Sequence, residues 1–244
     1  RMDQSMVTDY PLVDINTRIA MLQPEKYPMA GEPIHQVKMG VYDLKTGRTI
    51  YLNTGDPTDR YFTNICWSPD NRLIYLIELN RKQTDFSLDA YDATTGNRVS
   101  TLYREHSDKY VHPVNPITFL PWDASKFILQ SEKDGFKHLY LFNIKGRQLK
   151  QLTAGKWLVL DLMGFNRTRK EAIILSNECN PIQNNLFAVS VQTGKRRLLD
   201  NGKGCHANIN EPDRGHKLAL SPMGNWIIDN FTTPDIPRNI DIIN

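Results

Sequence analysis

Cysteine is scarce in this chain. The three thiols, Cys66, Cys179 and Cys205, form no C-x-x-C pair, which argues against a zinc knuckle or a redox motif. Their odd number leaves at least one without an intramolecular partner, and no disulfide framework is expected. Long apolar runs are lacking too. The longest, around Trp157-Leu158-Val159-Leu160, is interrupted by Asp161 and falls far short of the ~20 residues of a membrane-spanning helix. The chain opens on Arg1 rather than Met, so its natural start is expected upstream. Charge of one sign is also scarce. The net charge of +3 over 244 residues is too small for a nucleic-acid or membrane footprint, and no nucleic-acid partner is expected. The basic clusters Lys195-Arg196-Arg197 and Arg167-x-Arg169-Lys170 lie beside expected turns and read as solvated.

The familiar catalytic motifs are missing as well. None of the 14 glycines is followed two positions later by Ser, so there is no G-x-S-x-G elbow to strain a nucleophilic serine above a hydrolase sheet. Gly202-x-Gly204 is too short for a dinucleotide loop, and there is no Walker lysine, H-E-x-x-H or EF-hand loop. Cys205-His206 would hold a metal only with partners from elsewhere, so no metal or cofactor site is expected. His35, His106, His112, His138 and His216 are scattered and read as structural or surface residues. Asn166-Arg167-Thr168 and Asn230-Phe231-Thr232 fit the glycosylation pattern, which arises often by chance. No helical period of 3.6 persists for ten residues with caps.

What is present is a repeat. Four turn-like segments, DLKTGRTIYL, DATTGNRVSTL, NIKGRQLKQL and SVQTGKRRLL, place Gly47, Gly96, Gly146 and Gly194 at spacings of 49, 50 and 48. The leucines that follow, Leu52, Leu102, Leu152 and Leu199, are 50, 50 and 47 residues apart. The residues before each turn alternate and are rich in aromatic and branched side chains, as strands are. Glycine in the turn supplies the positive φ of a hairpin. A second signal falls in the other half of each unit. Ser68-Pro69-Asp70-Asn71 precedes RLIYLIEL, and Ser221-Pro222-Met223-Gly224-Asn225 precedes WIIDNF. Trp122-Asp123-Ala124-Ser125 and Phe165-Asn166-Arg167-Thr168 similarly precede KFILQS and EAIILS. Each unit is thus four antiparallel strands in about fifty residues, the blade of a β-propeller. A β-sandwich is the rival, but it needs no such regular period.

The sequence therefore predicts an all-β chain, a partial β-propeller with approximate blades 1–56, 57–106, 107–153, 154–200 and 201–244. Trp67, Trp122 and Trp226 stand near the Pro/Asp turns of three units, Trp157 lies just past a Gly turn, and all are expected to pack between blades. The stretch SEKDGFKHLY, Ser131–Tyr140, gathers a Ser, a Glu, an Asp and a His, yet it falls between the second and third strands of a unit. Asp134-Gly135 suits a hairpin tip, and nothing places Ser131 on an exposed elbow, so it reads as a turn with strand ends rather than a catalytic set.

Several strings carry a family resemblance: RMDQSMVTDYP at the start, KYPMAGEPIHQVKMGVYDL, SEKDGFKHLYLFN, TAGKWLVLDL and ILSNECNP. In order and spacing the chain resembles the N-terminal propeller of the dipeptidyl-peptidase IV family of the prolyl oligopeptidase clan, from Arg1 to about Phe231. The resemblance implies an eight-bladed propeller seated over a C-terminal α/β-hydrolase domain, with about four to five blades present here. It implies a serine peptidase that releases N-terminal X-Pro or X-Ala dipeptides from peptide substrates. The family's paired glutamates belong upstream of RMDQSMVTDYP and its Ser–Asp–His triad downstream of FTTPDIPRNIDIIN, so no catalytic residue is expected within this chain. The segment before SEKDG contributes to the family's substrate pocket, which points to Tyr110 and His112 as substrate-binding residues. Family members are secreted, periplasmic or membrane-anchored, and a periplasmic or secreted location is expected. A partial ring would leave blade faces bare, which predicts self-association. The alternative is a stand-alone interaction propeller of the WD-repeat or TolB type. A third alternative, a sugar-active propeller enzyme, would need carboxylates at a suitable separation across a central channel, a separation that sequence alone does not show.

Overall fold

A computed structural model describes residues 1–206 and 219–244, and His216 lies outside the described residues. Every regular element among the described residues is a strand. The chain divides into two compact units, Arg1–Val111 and His112–Asn244.

In the first unit, β1 (Met2–Asp3) pairs with β4 (Gln36–Val37), β2 (Asp9–Asp14) with β3 (Met21–Lys26), and β5 (Gly40–Asp43) with β6 (Arg48–Tyr51). The strands β7 (Arg60–Trp67), β8 (Leu73–Asn80), β9 (Asp85–Asp92) and β10 (Arg98–His106) then form a four-stranded antiparallel meander. The residues up to Tyr51 thus make three two-stranded pairings rather than one four-stranded sheet. The reason is visible in β2 and β3, whose side chains are exposed on both faces, so this hairpin is not a layer of a packed sheet.

The second unit holds β11 (Thr118–Leu120), β12 (Asp123–Ser131), β13 (His138–Asn143) and β14 (Gln148–Gln151) as one meander. A second contains β15 (Val159–Asn166), β16 (Glu171–Ser176), β17 (Asn185–Ser190) and β18 (Arg196–Leu198). The strands β19 (Ala219–Leu220), β20 (Ile227–Phe231) and β21 (Asn239–Ile243) form a three-stranded sheet among the described residues. The fold is a partial β-propeller of antiparallel blades.

The strand β16 shows why these sheets stack. Ala172 and Ile174 pack with Ile128, Leu139 and Val189 on one side, whereas Ile173 and Leu175 pack with Leu186 and Ile227 on the other. A strand buried on both faces reads as a continuous apolar run, and this one reads EAIILS. Trp122 lies edge-on to Phe165, with ring centroids 5.4 Å apart, and Trp157 joins the same cluster. Trp67 and Trp226 remain about half exposed.

The fifty-residue beat has a local cause. The Gly47, Gly96 and Gly194 amides donate to the carbonyls of Asp43, Asp92 and Ser190 at 2.8, 2.9 and 2.8 Å. Asp92 Oδ1 also accepts the amides of Thr94 and Thr95 at 2.9 and 2.8 Å, and Asn143 Oδ1 those of Lys145 and Arg147 at 3.1 and 2.9 Å. The recurring leucines close the outer strand. The Leu52, Leu152 and Leu199 amides donate to Met39, Leu139 and Leu186 carbonyls at 2.9, 2.8 and 2.9 Å. The second signal is a serine-capped turn. Ser68 Oγ accepts the amides of Arg72 and Leu73 at 3.1 and 2.9 Å, and Ser221 Oγ those of Asn225 and Trp226 at 3.1 and 3.0 Å.

Candidate functional site

The segment that the resemblance assigns to the substrate pocket is the connection between β10 and β11. It is pinned by Val111, which is buried and donates its amide to Gln83 O at 2.7 Å. Tyr110, just before it, is 60% exposed. His112, just after it, has an exposed ring whose Nδ1 stands 4.0 Å from Glu132 Oε1. Glu132 comes from the SEKDG turn, which the sequence reading treated as a strand end. The pairing is long-range and leaves no trace in sequence spacing. Within the second unit, an exposed imidazole with a carboxylate beside it is a pair suited to binding polar ligand atoms.

The SEKDG turn itself is a hairpin between β12 and β13. The Gly135 amide donates to Glu132 O at 2.8 Å, and Ser131 Oγ accepts the Lys133 amide at 3.1 Å. His138 is fully buried. One ring nitrogen, Nε2, faces the Gly155 carbonyl at 3.0 Å and must donate to it. The other, Nδ1, is therefore the acceptor for the Thr153 hydroxyl at 3.1 Å. Thr153 Oγ1 in turn accepts the Leu139 amide at 3.0 Å. Every polar atom of this set is used internally, so it ties β13 to the turn after β14 and offers nothing to a ligand.

Cys205 and His206 divide in role. Cys205 bridges Asn184 and Thr232 through its backbone. The ring of His206 is buried, with Nδ1 at 2.5 Å from Asp229 Oδ2 and Nε2 at 2.9 Å from Lys203 O. Among the described residues, no three His, Cys, Asp or Glu side chains gather as a metal would require. Asn166 is buried with its Oδ1 accepting the Arg169 amide at 2.9 Å, so it is not presented as a glycosylation acceptor.

A charged cleft of about 530 Å³ lies on the meander β7–β10. Cross-strand partners share a face. Arg60, Asn80, Asp85 and His106 make one row across the sheet, and Glu78, Ser87 and Arg104 lie in the next. Glu78 is buried between the Arg60 guanidinium and the Tyr91 hydroxyl. Burial, reinforced by that carboxylate, pushes the Tyr91 phenol well above its ordinary value. Arg60 also donates to the Thr54 and Asp56 carbonyls at 2.9 Å each. Asp89, fully buried, accepts from Ser87 Oγ at 2.5 Å and from the Thr101 hydroxyl. Hydrogen bonds that its ring donates to the Asp85 and Asp108 carboxylates raise the His106 imidazole above its usual value. Sequence reading missed this cleft. The signal was the alternation of polar residues Ser87 and Asp89 within an otherwise apolar strand.

The model for the family described as "Dipeptidyl peptidase IV (DPP IV) N-terminal region" matches residues 1–238. Among solved structures, a Bacteroides ovatus protein described as a dipeptidyl aminopeptidase IV is 43% identical, with a TM-score of 0.84 over 99% of this chain and 35% of that one. Porphyromonas gingivalis dipeptidyl peptidase 4 is 22% identical, with a TM-score of 0.83 over 99% of this chain and 33% of that one, a likeness of fold. Among curated proteins, a probable dipeptidyl peptidase 4 of Emericella nidulans is 25% identical over 69% of this chain and 23% of its own length. The inactive dipeptidyl peptidase 10 of Rattus norvegicus is 27% identical over 68% of this chain and 22% of its own length. The chain thus spans about a quarter of the curated relatives' length.

Proposed function

The chain belongs to the family of dipeptidyl peptidase IV N-terminal regions, and from that premise we propose that it is the propeller portion of a serine exopeptidase releasing X-Pro or X-Ala dipeptides. In this reading the blades shape and gate the cavity that peptide ends enter, and an attached C-terminal α/β-hydrolase domain supplies the nucleophile. A confined entrance limits water and excludes folded chains from the reacting bond. The observation that carries the reading is the 43% identity, across 99% of this chain, to the Bacteroides ovatus protein described as a dipeptidyl aminopeptidase IV. Tyr110 and His112 are assigned to the peptide-facing wall, supported by their exposed side chains beside the pinned Val111.

The test is turnover of a Gly-Pro reporter. The intact natural protein should cleave it, and the 244-residue chain alone should match a serine-inhibitor-treated control. Cleavage by the isolated chain above that control overturns the division of labour. The Rattus norvegicus relative, named an inactive dipeptidyl peptidase, favours a second reading in which the propeller serves as a binding scaffold. An intact protein that binds peptide without cleaving it decides for that second reading.

Self-association completes the proposal. Val13 and Leu22 are cross-strand partners on the hairpin β2–β3, flanked by the Pro11–Pro24 pair, and both aliphatic side chains are exposed. This face gives a second copy of the chain an apolar surface to cover.

A further inference from the structure

A cavity of about 400 Å³ where the meanders β11–β14 and β15–β18 meet combines an apolar wall with uncancelled positive charge. The wall is Leu120, Leu141 and Val191, buried members of the cluster that the two sheets share, with Trp122 packed beside them. Three lysines line the cavity, Lys126, Lys150 and Lys170, against one carboxylate, Asp123. That carboxylate is taken, because Lys126 Nζ lies 2.6 Å from Asp123 Oδ2. Among the described residues, neither Lys150 nor Lys170 has a carboxylate partner. Lys150 Nζ donates to the Gln192 carbonyl at 2.6 Å, a neutral acceptor that leaves its charge uncancelled.

Hydrogen bonds bring the two unmatched lysines together. Lys150 is the cross-strand partner of Leu141, so its stem rises from the face that carries the apolar wall. Its ammonium reaches over to Gln192, on the turn between β17 and β18. The residue before, Val191, donates its amide to the Lys170 carbonyl at 3.2 Å. The head of Lys150 and the backbone of Lys170 thus meet on two consecutive residues. Lys170 stands at φ +55°, a left-handed position that glycine or asparagine takes more readily, and it is exposed. An apolar wall beside two uncancelled ammonium groups suits a ligand with a hydrocarbon body and one anionic head. Asp123 on the same lining repels a second negative charge, which disfavours a phosphate dianion. The volume lies in the range of small-ligand sites.

We propose that this cavity binds a medium-chain fatty acid, its carboxylate held by Lys150 and Lys170 and its chain laid on the wall of Leu120, Trp122 and Val191. The inference is independent of the peptidase reading, and a protein that leaves the Gly-Pro reporter uncut can still bind the acid. The probe is octanoate, titrated into the intact natural protein by calorimetry. Octan-1-ol, acetate and inorganic phosphate are the comparison ligands. Octanoate should bind saturably, octan-1-ol about tenfold more weakly or worse, and acetate and phosphate without saturation. Lys170→Gln alters an exposed side chain and should weaken octanoate about fivefold at an unchanged melting temperature. Leu149→Glu, at a 40% exposed residue of the lining, sets a carboxylate against the ligand's own and should abolish binding without unfolding the sheet. Lys45→Gln, at an exposed lysine on the turn between β5 and β6, should leave binding intact. No saturable binding of octanoate, equal weakening by Lys45→Gln, or octan-1-ol or phosphate binding as tightly as octanoate overturns the proposal.

Discussion

His206 and Asp229 form a buried ion pair, with Nδ1 and Oδ2 2.5 Å apart. The opposite ring nitrogen faces the Lys203 carbonyl at 2.9 Å, with the Asp200 carboxylate at 3.7 Å. Both nitrogens meet acceptors, so both carry protons and the ring is an imidazolium. It is stacked on Phe231, with centroids 4.9 Å apart. Burial pulls the imidazole down, but the Asp229 hydrogen bond and the field of the two carboxylates outweigh it, leaving His206 above its ordinary 6.5.

A group raised on folding contributes stability that is fully present below its unfolded value and lost as pH climbs through its folded value. The melting temperature should therefore hold below about pH 6.5 and decline above it. His206→Gln should flatten that decline and cost about 3 kcal/mol at acid pH, because it removes the cation that faces the buried Asp229 carboxylate. Thermal melts of both proteins across pH check this. A slope unchanged by the substitution refutes the assignment of the imidazolium.

Gly96 and Gly135 separate two roles of a turn glycine. Both have positive φ, +74° and +94°. A Cβ on Gly96 would stand 2.2 Å from Tyr51 O, whereas one on Gly135 meets nothing within 4 Å. Gly135→Ala should cost about 1 kcal/mol of backbone strain alone. Gly96→Ala should cost more, about 3 kcal/mol or above, because the turn must also lift off the β6 backbone. Equal losses in denaturant titrations would show that the close approach is unimportant.

That contrast explains how much of the fold was legible. The beat of Gly47, Gly96, Gly146 and Gly194 survives in sequence because backbone geometry and contact leave glycine few substitutes. Ser68 and Ser221 were legible for a similar reason, since each caps its own turn within five residues. The candidate sites were not. His112 meets Glu132, Arg60 meets Glu78 and His206 meets Asp229 only after strands have paired, and any residue of suitable charge would satisfy each contact. The two-sided exposure of β2–β3 is not legible in DYPLVD and MLQPEK, whose apolar residues would suit a packed strand equally well.

His112 allows a kinetic test of the peptide-facing wall. The ring is exposed and 4.0 Å from Glu132, so His112→Ala removes no buried contact and should leave stability unchanged. If it touches substrate before the chemical step, KM for peptide reporters should rise about threefold to tenfold with kcat nearly constant. Tyr110→Phe, which keeps the ring and removes the hydroxyl, should give a smaller rise of the same kind. Loss of kcat at unchanged KM contradicts a binding role for this segment.

The hairpin β2–β3 makes the last prediction. Val13 and Leu22 face solvent together, and neither supports the core of the first unit. Replacing a buried pair with charge would unfold a sheet, but replacing an exposed one should not, so Val13→Asp with Leu22→Glu isolates association from folding. Sedimentation of the unaltered chain at micromolar concentration should show a species larger than the monomer. The double variant should sediment as a monomer with the same melting temperature. Monomeric behaviour of the unaltered chain would mean that water, not a second copy, covers this face.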